Sequence, residues 1–181
     1  GLVFYILDDV PRAASYNICN FTIPGERPLS LAMPAPPLFA QNPAAPAVRN
    51  FDGVVSTTVT VNRNLMDFYT NYPPCHWSVY AATALTAPVC GQLYPPLRAA
   101  VAGKGEREAA ELLLHYLHRA FPYKTDEAQF GIERTLFAEE MYYYPYSDCE
   151  DRSILFARLV KDLLGLDVVL LYYPRYASKA R

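Results

Sequence analysis

The stretch that most limits the fold runs from Ser147 to Gly165, where apolar side chains come close to encircling a helix. Leu155, Phe156, Leu159, Val160 and Leu163 form one stripe at the 3.6-residue period, while Ile154, Ala157 and Leu164 lie off it. Glu150, Arg158 and Lys161 interrupt the apolar surface. Such a helix is expected between layers of protein, not on a surface with one face to water. Gly165 supplies the residue that ends it. Residues 166–173, centred on Val168-Val169-Leu170-Leu171, then read as a buried strand stopped by Pro174.

The start of this helix carries the chemistry. Ser147 and Glu150 have the S-x-x-E spacing of a capping box, which predicts a first turn near Ser147 with Cys149 as its second residue. Unpaired N–H groups and the helix dipole favour a thiolate there; Arg152 acts the same way, and Asp148, Glu150 and Asp151 act against it. Cys149 falls on the edge of the apolar stripe, so its sulfur is predicted to point at the protein body. Asp151 and Arg152 read as a local ion pair.

Upstream, residues 106–121 give the second clear helix, with Ala109, Leu112, Leu113, Tyr116, Leu117 and Ala120 on one face. His115 and His118 are three apart, but no thiol or carboxylate at matching spacing completes a metal site, and neither a metal nor another cofactor is expected. Residues 123–140 have weak periodicity and read as a loop with a helical turn near residues 137–141.

The first hundred residues read as β-rich. Residues 54–61 alternate, with Val55, Thr57, Val59 and Val61 on one face. Residues 2–7, 17–23 and 76–85 are further strand candidates, the last on the alternation of Trp77, Val79 and Ala81. Short helical pieces are expected at 64–69 and 97–101. Seven prolines within residues 24–46 exclude both helix and central strand, leaving an extended strap laid over a surface. The chain therefore divides into a β-rich part, residues 1–100, and a helical part, residues 101–181.

A net charge of -2 gives no reason to expect nucleic acid, and no run of Lys and Arg suggests a membrane surface. No apolar stretch approaches the roughly 18 residues of a membrane span. Four cysteines are too few for a disulfide scaffold, so Cys75 and Cys90 read as buried thiols or as a single pair. Gly1 in place of methionine and the abrupt apolar start at Leu2 read as an added residue, a processed end or an internal cut; the compartment stays open, and a removed signal peptide would put the chain outside the cytoplasm.

The run YPYSDCEDRSILFARLVKDLLGLDVVLLYYP, with FPYKTDEAQFGIERTLFAEEMYYYP before it, resembles bacterial transglutaminase-like proteins, a branch of the papain-like cysteine enzymes with a D-C-E-D nucleophile motif. The resemblance covers residues 106–174. It implies an α+β fold in which an incomplete transglutaminase-like core packs a central nucleophile helix on an antiparallel sheet. It also implies a cysteine peptidase or acyl transferase acting on peptide or glutamine amides through a Cys149 thioester. Gln129 becomes the candidate side-chain donor to the oxyanion.

The family's histidine follows a Y-P-G-H turn and its aspartate lies on the next strand. Here Tyr173-Pro174-Arg175-Tyr176 places Tyr176 where that histidine is expected, so the histidine and aspartate are expected beyond Arg181. The alternative is a non-catalytic module of the same fold, whose tyrosine-rich face binds a peptide, a glycan or a partner domain. A sheet ending at its first strand after the helix would also offer an exposed edge for association.

Overall fold

The structure, a computed structural model, describes residues 3–5, 15–17 and 29–171 and is mixed α+β. Strands β1 (Val3–Tyr5), β2 (Ser15–Asn17) and β3 (Leu29–Ser30) form a small sheet in the order β2-β1-β3, antiparallel on one side and parallel on the other. The remaining parts of the strands expected at 2–7 and 17–23 lie outside the described residues, as do Cys19 and the turn Tyr173-Pro174-Arg175-Tyr176.

Strands β4 (Ala47–Phe51) and β5 (Val55–Val59) make an antiparallel hairpin. Its turn needs positive φ at two successive residues, and Asp52 (41°) and Gly53 (75°) supply it, with Val54 N–H donating to Phe51 O at 2.7 Å. Alternation in β5 buries Val55, Thr57 and Val59. The hairpin packs on helices α3 (Ala87–Val101) and α4 (Glu106–Ala120).

Helices α1 (Arg63–Thr70), α2 (Trp77–Ala82), α5 (Asp126–Phe130) and α6 (Cys149–Leu164), and a 3-10 turn at Ala138–Tyr142, complete the fold. One core runs without a break from Met33 to Val160, through Leu65, Leu93, Leu113, Tyr116, Phe137 and Leu155. Helix α6 lies against α4, α2 and the 3-10 turn. The expected interior position is therefore realised, but the covering layers are helical: among the described residues α6 does not pack on an antiparallel sheet.

Two segments read as β or broken are helices. Within residues 76–85, Trp77–Ala82 form α2: the His76 ring caps its start, Nδ1 accepting from Ser78 N–H at 3.2 Å, and Val79 and Tyr80 rather than Trp77 and Ala81 face inward. Helix α3 begins ten residues before the expected piece and carries Pro95 and Pro96 inside it. Val89, Leu93, Tyr94, Leu97 and Val101 are buried along its length, so packing holds the helix through two residues that lack N–H donors. A third difference is at residues 166–171, which form no ladder with any described strand. Leu166, Val168 and Leu170 are half-buried and Asp167, Val169 and Leu171 exposed, the alternation of a strand without a neighbour.

Arg158 ties α6 to its surroundings. It is buried, pairs with Asp162, and donates to Ala82 O at 3.4 Å, while Tyr94 O–H donates to the other Asp162 oxygen at 2.5 Å. No helix among the described residues is long and apolar enough to cross a membrane.

Candidate functional site

Asp148, not Ser147, caps α6. Its Oδ1 accepts from Asp151 N–H at 3.5 Å, and Asp151 Oδ2 accepts from Asp148 N–H at 3.2 Å, so the box is D-x-x-D, one residue later than the S-x-x-E spacing predicts. Cys149 is consequently the first helical residue. Ser147 is buried for another purpose: its Oγ accepts from Arg152 Nε at 3.3 Å. The expected Asp151–Arg152 ion pair is absent from the bonds of either side chain. Asp151 spends its oxygens on the Asp148 and Leu136 N–H groups, the latter at 2.8 Å, and Arg152 donates to Phe121 O at 2.7 Å.

The loop before α6 is zipped to the segment after α4. Ser147 N–H donates to Pro122 O and Lys124 N–H to Ser147 O, both at 3.2 Å, forming a parallel bridge between Tyr123 and Ser147. The Arg152 guanidinium lies over the Tyr123 ring, 5.2 Å from its centroid. Tyr123 Oη is thereby set 4.0 Å from Cys149 Sγ.

Cys149 is exposed, opposite to the inward direction predicted. The last turn of α4 does come alongside this end of α6, with Arg152 donating to the O of Phe121 at the α4 C-cap, but the sulfur is left uncovered. The thiol opens instead on a cavity of about 450 Å³ lined also by His118, Arg152, Phe156, Trp77 and Val168. His118, on the exposed side of the last turn of α4, is the histidine that the described residues bring to this cavity. His115 lies against Phe51 instead, its ring tilted and 6.4 Å between ring centroids.

Gln129, in α5, does not line this cavity. Its Nε2 donates to Tyr146 O at 3.3 Å, which ties α5 to the approach to α6.

A second group of side chains flanks the cysteine. One carboxylate oxygen from each of Asp126, Glu133, Asp148 and Glu150 lies within 4.8 Å of the others. Asp126 is 2% exposed; its Oδ2 accepts from Arg134 N–H at 2.8 Å, and its Oδ1 is buried without a partner. Burial, reinforced by the neighbouring carboxylates, pushes Asp126 up to about 6 and Glu150 up to about 9, and raises Asp148. An all-oxygen set with an orphaned buried oxygen suits a hard cation such as calcium or magnesium, and these four residues could hold one. Sequence spacing did not show it, because helix α5 and the loop after it bring Asp126 and Glu133 to the cap from more than a dozen residues away.

The other described thiols lack these surroundings. Cys75 and Cys90 are free and half-buried, and burial pushes the Cys75 thiol up to about 11. No protein-family model matches the chain, and no curated protein or solved structure shows significant similarity to it.

Proposed function

We propose that the chain carries a thiol-dependent acyl-transfer site of the transglutaminase-like kind, with Cys149 as nucleophile and a peptide or glutamine amide as substrate. The observation that carries this reading is an exposed cysteine at the first position of a capped sixteen-residue helix, opening on a cavity that also holds a histidine. Sγ attacks the amide carbonyl carbon and its proton passes to the His118 imidazole. The carbonyl π pair moves onto oxygen; on its return the C–N bond breaks, the amine leaves with the imidazolium proton, and a thioester remains. Water or an amine then attacks the thioester carbonyl, and the thiol is regenerated.

The test is acylation by an activated ester, p-nitrophenyl acetate, followed by intact mass and peptide mapping. A single acetyl group on Cys149, absent in Cys149→Ser and formed more slowly in His118→Ala, is the expected result. Acetylation at the rate of the unfolded chain would defeat the reading. Normal acylation in His118→Ala would leave the nucleophile in place and move the base to another residue.

A second reading, a non-catalytic module, is favoured by the apolar residues left on the outer side of residues 166–171, where Val169 is 79% and Leu171 69% exposed. It predicts that an added strand-forming peptide protects these residues from proteolysis while Cys149 stays unacylated.

A further inference from the structure

Attack by Sγ on an amide carbonyl needs something to receive the negative charge that develops on the substrate oxygen. The N–H of Cys149, at the first helical position, has no partner within the helix and is one donor. The side chain expected as the second, Gln129, is committed to Tyr146 O. Tyr123 is the phenol beside the sulfur.

We infer that Tyr123 is a catalytic residue of the Cys149 site, its phenolic O–H donating to the oxyanion of the tetrahedral adduct, and that Arg152 is the positioning residue that holds its ring. This rests on the acyl-transfer reading above. At 4.0 Å the phenol oxygen is too distant to solvate the sulfur closely and leaves room for one oxygen atom between them. In an adduct on Sγ, the oxyanion is two bonds from the sulfur, and an effective donor stands about 2.7–3.1 Å from that oxygen. Two short sides of that order close on a 4.0 Å base, so the phenol can reach the adduct oxygen without moving.

Preorganisation is the second part. An exposed tyrosine would ordinarily sweep several rotamers. Here the backbone on both sides of Tyr123 is bonded to Ser147, Arg152 covers the ring face, and Arg152 is itself fixed by Ser147 Oγ and Phe121 O. Every one of these partners lies within the first turn of α6, in the residue before its cap, or in the two residues before Tyr123. The donor and the nucleophile therefore move as one body. The phenol keeps its proton throughout: it donates a hydrogen bond while the π pair resides on oxygen and is released when the C–N or C–O bond breaks.

Tyr123→Phe removes the hydroxyl and keeps the ring that Arg152 covers. Two reagents separate oxyanion stabilisation from thiol activation. p-Nitrophenyl acetate acylates through a tetrahedral oxyanion, whereas iodoacetamide alkylates sulfur by direct displacement at carbon and forms none. The expected result for Tyr123→Phe is acylation slowed about tenfold, less than the hundredfold of a water-free oxyanion hole because the residue is 55% exposed. Alkylation and the melting temperature should match those of the parent chain.

Unchanged acylation would overturn the assignment. So would acylation and alkylation falling together, since that pattern belongs to a group acting on the thiolate. A parent chain that iodoacetamide labels but the ester does not acylate removes the acyl-transfer reading and this assignment with it; only the results on Tyr123→Phe bear on the assignment alone.

Discussion

Asp148 and Asp151 hold each other's backbone N–H groups across the first turn of α6, and Asp151 reaches past that turn to a third N–H, that of Leu136. A carboxylate with two acceptor oxygens is used here as a clamp between the nucleophile helix and the segment leading into the 3-10 turn. Asp151 is fully buried and burial pushes it up to about 8, yet its position is set by the donors it satisfies. Asp151→Ala would leave the Asp148 and Leu136 N–H groups buried without acceptors. Each such loss costs about 1–3 kcal/mol, so a total of about 2–6 kcal/mol is expected in urea unfolding at neutral pH. Asp151→Asn, which keeps one acceptor, should lose about half of that. A change below about 1 kcal/mol for the alanine variant would show that the clamp does not matter to folding.

The carboxylates of Asp126, Glu133, Asp148 and Glu150 repel one another when ionised, and a divalent cation bound among them would bind the folded state alone. Calcium at a hundred times its dissociation constant would then add about 2.7 kcal/mol to stability. The expected outcome is a melting temperature that rises with added calcium in the parent chain and stays flat in Asp126→Asn, which keeps the size of the residue and removes its charge. Equal responses in both proteins would show that the cation binds elsewhere or not at all.

Sequence periodicity located α4 to within one residue of its end, found β5, and placed the end of α6 at Gly165, which takes φ of 69° as a C′ residue should. Each of these has many apolar positions or a distinctive terminal residue. Six residues of α2 are too few for periodicity to decide: the alternation of Trp77, Val79 and Ala81 suggests a strand, whereas on the helix Val79 turns to the opposite side from the other two. The extent of α3 was hidden by Pro95 and Pro96, since local propensity favours a break that the buried residues on both sides override. At the site, Cys149 was legible as a helix-start cysteine, but its exposure depends on how α6 is packed by distant segments, and the Tyr123 contact depends on a two-segment zipper that no local pattern encodes.

The thiols should separate sharply in reactivity. Cys75 and Cys90 are half-buried and burial raises both, so few of their molecules are thiolate near neutral pH. Cys149 is exposed on an open cavity. Brief treatment with iodoacetamide followed by peptide mapping should label Cys149 first, with Cys75 and Cys90 labelled only after denaturation. Faster labelling of Cys75 would mean that the helical layer over it opens readily.

Gln129 offers a contrast with Tyr123. Neither side chain lines the cavity, but Tyr123 Oη stands 4.0 Å from Cys149 Sγ, whereas the Gln129 amide nitrogen is bonded to Tyr146 O, so its contribution is to hold α5 against the approach to α6. Gln129→Ala should cost about 1 kcal/mol of stability through the lost bond. Its acylation rate with p-nitrophenyl acetate should remain within about twofold of the parent chain. A loss of tenfold or more at unchanged stability would restore glutamine as the oxyanion donor.

Glu140 sets a pH dependence whose sign can be worked out. It is fully buried, accepts from Phe137 N–H at 3.0 Å and pairs with Arg134, whose guanidinium lies over the edge-on ring pair of Phe130 and Tyr144. Burial nevertheless pushes it up to about 7 from an ordinary value of 4.5, and burial raises Glu139 as well. Between those two values the folded chain holds a proton that the unfolded chain has released. Stability from this group is therefore complete below about pH 4.5 and declines as the pH rises through about 7. Urea midpoints measured from pH 5 to pH 8 with a chelator present should fall with rising pH, and Glu140→Gln should flatten the decline. A midpoint that climbs across that range in the parent chain would mean that Arg134 overcomes the desolvation of Glu140 and holds it ionised.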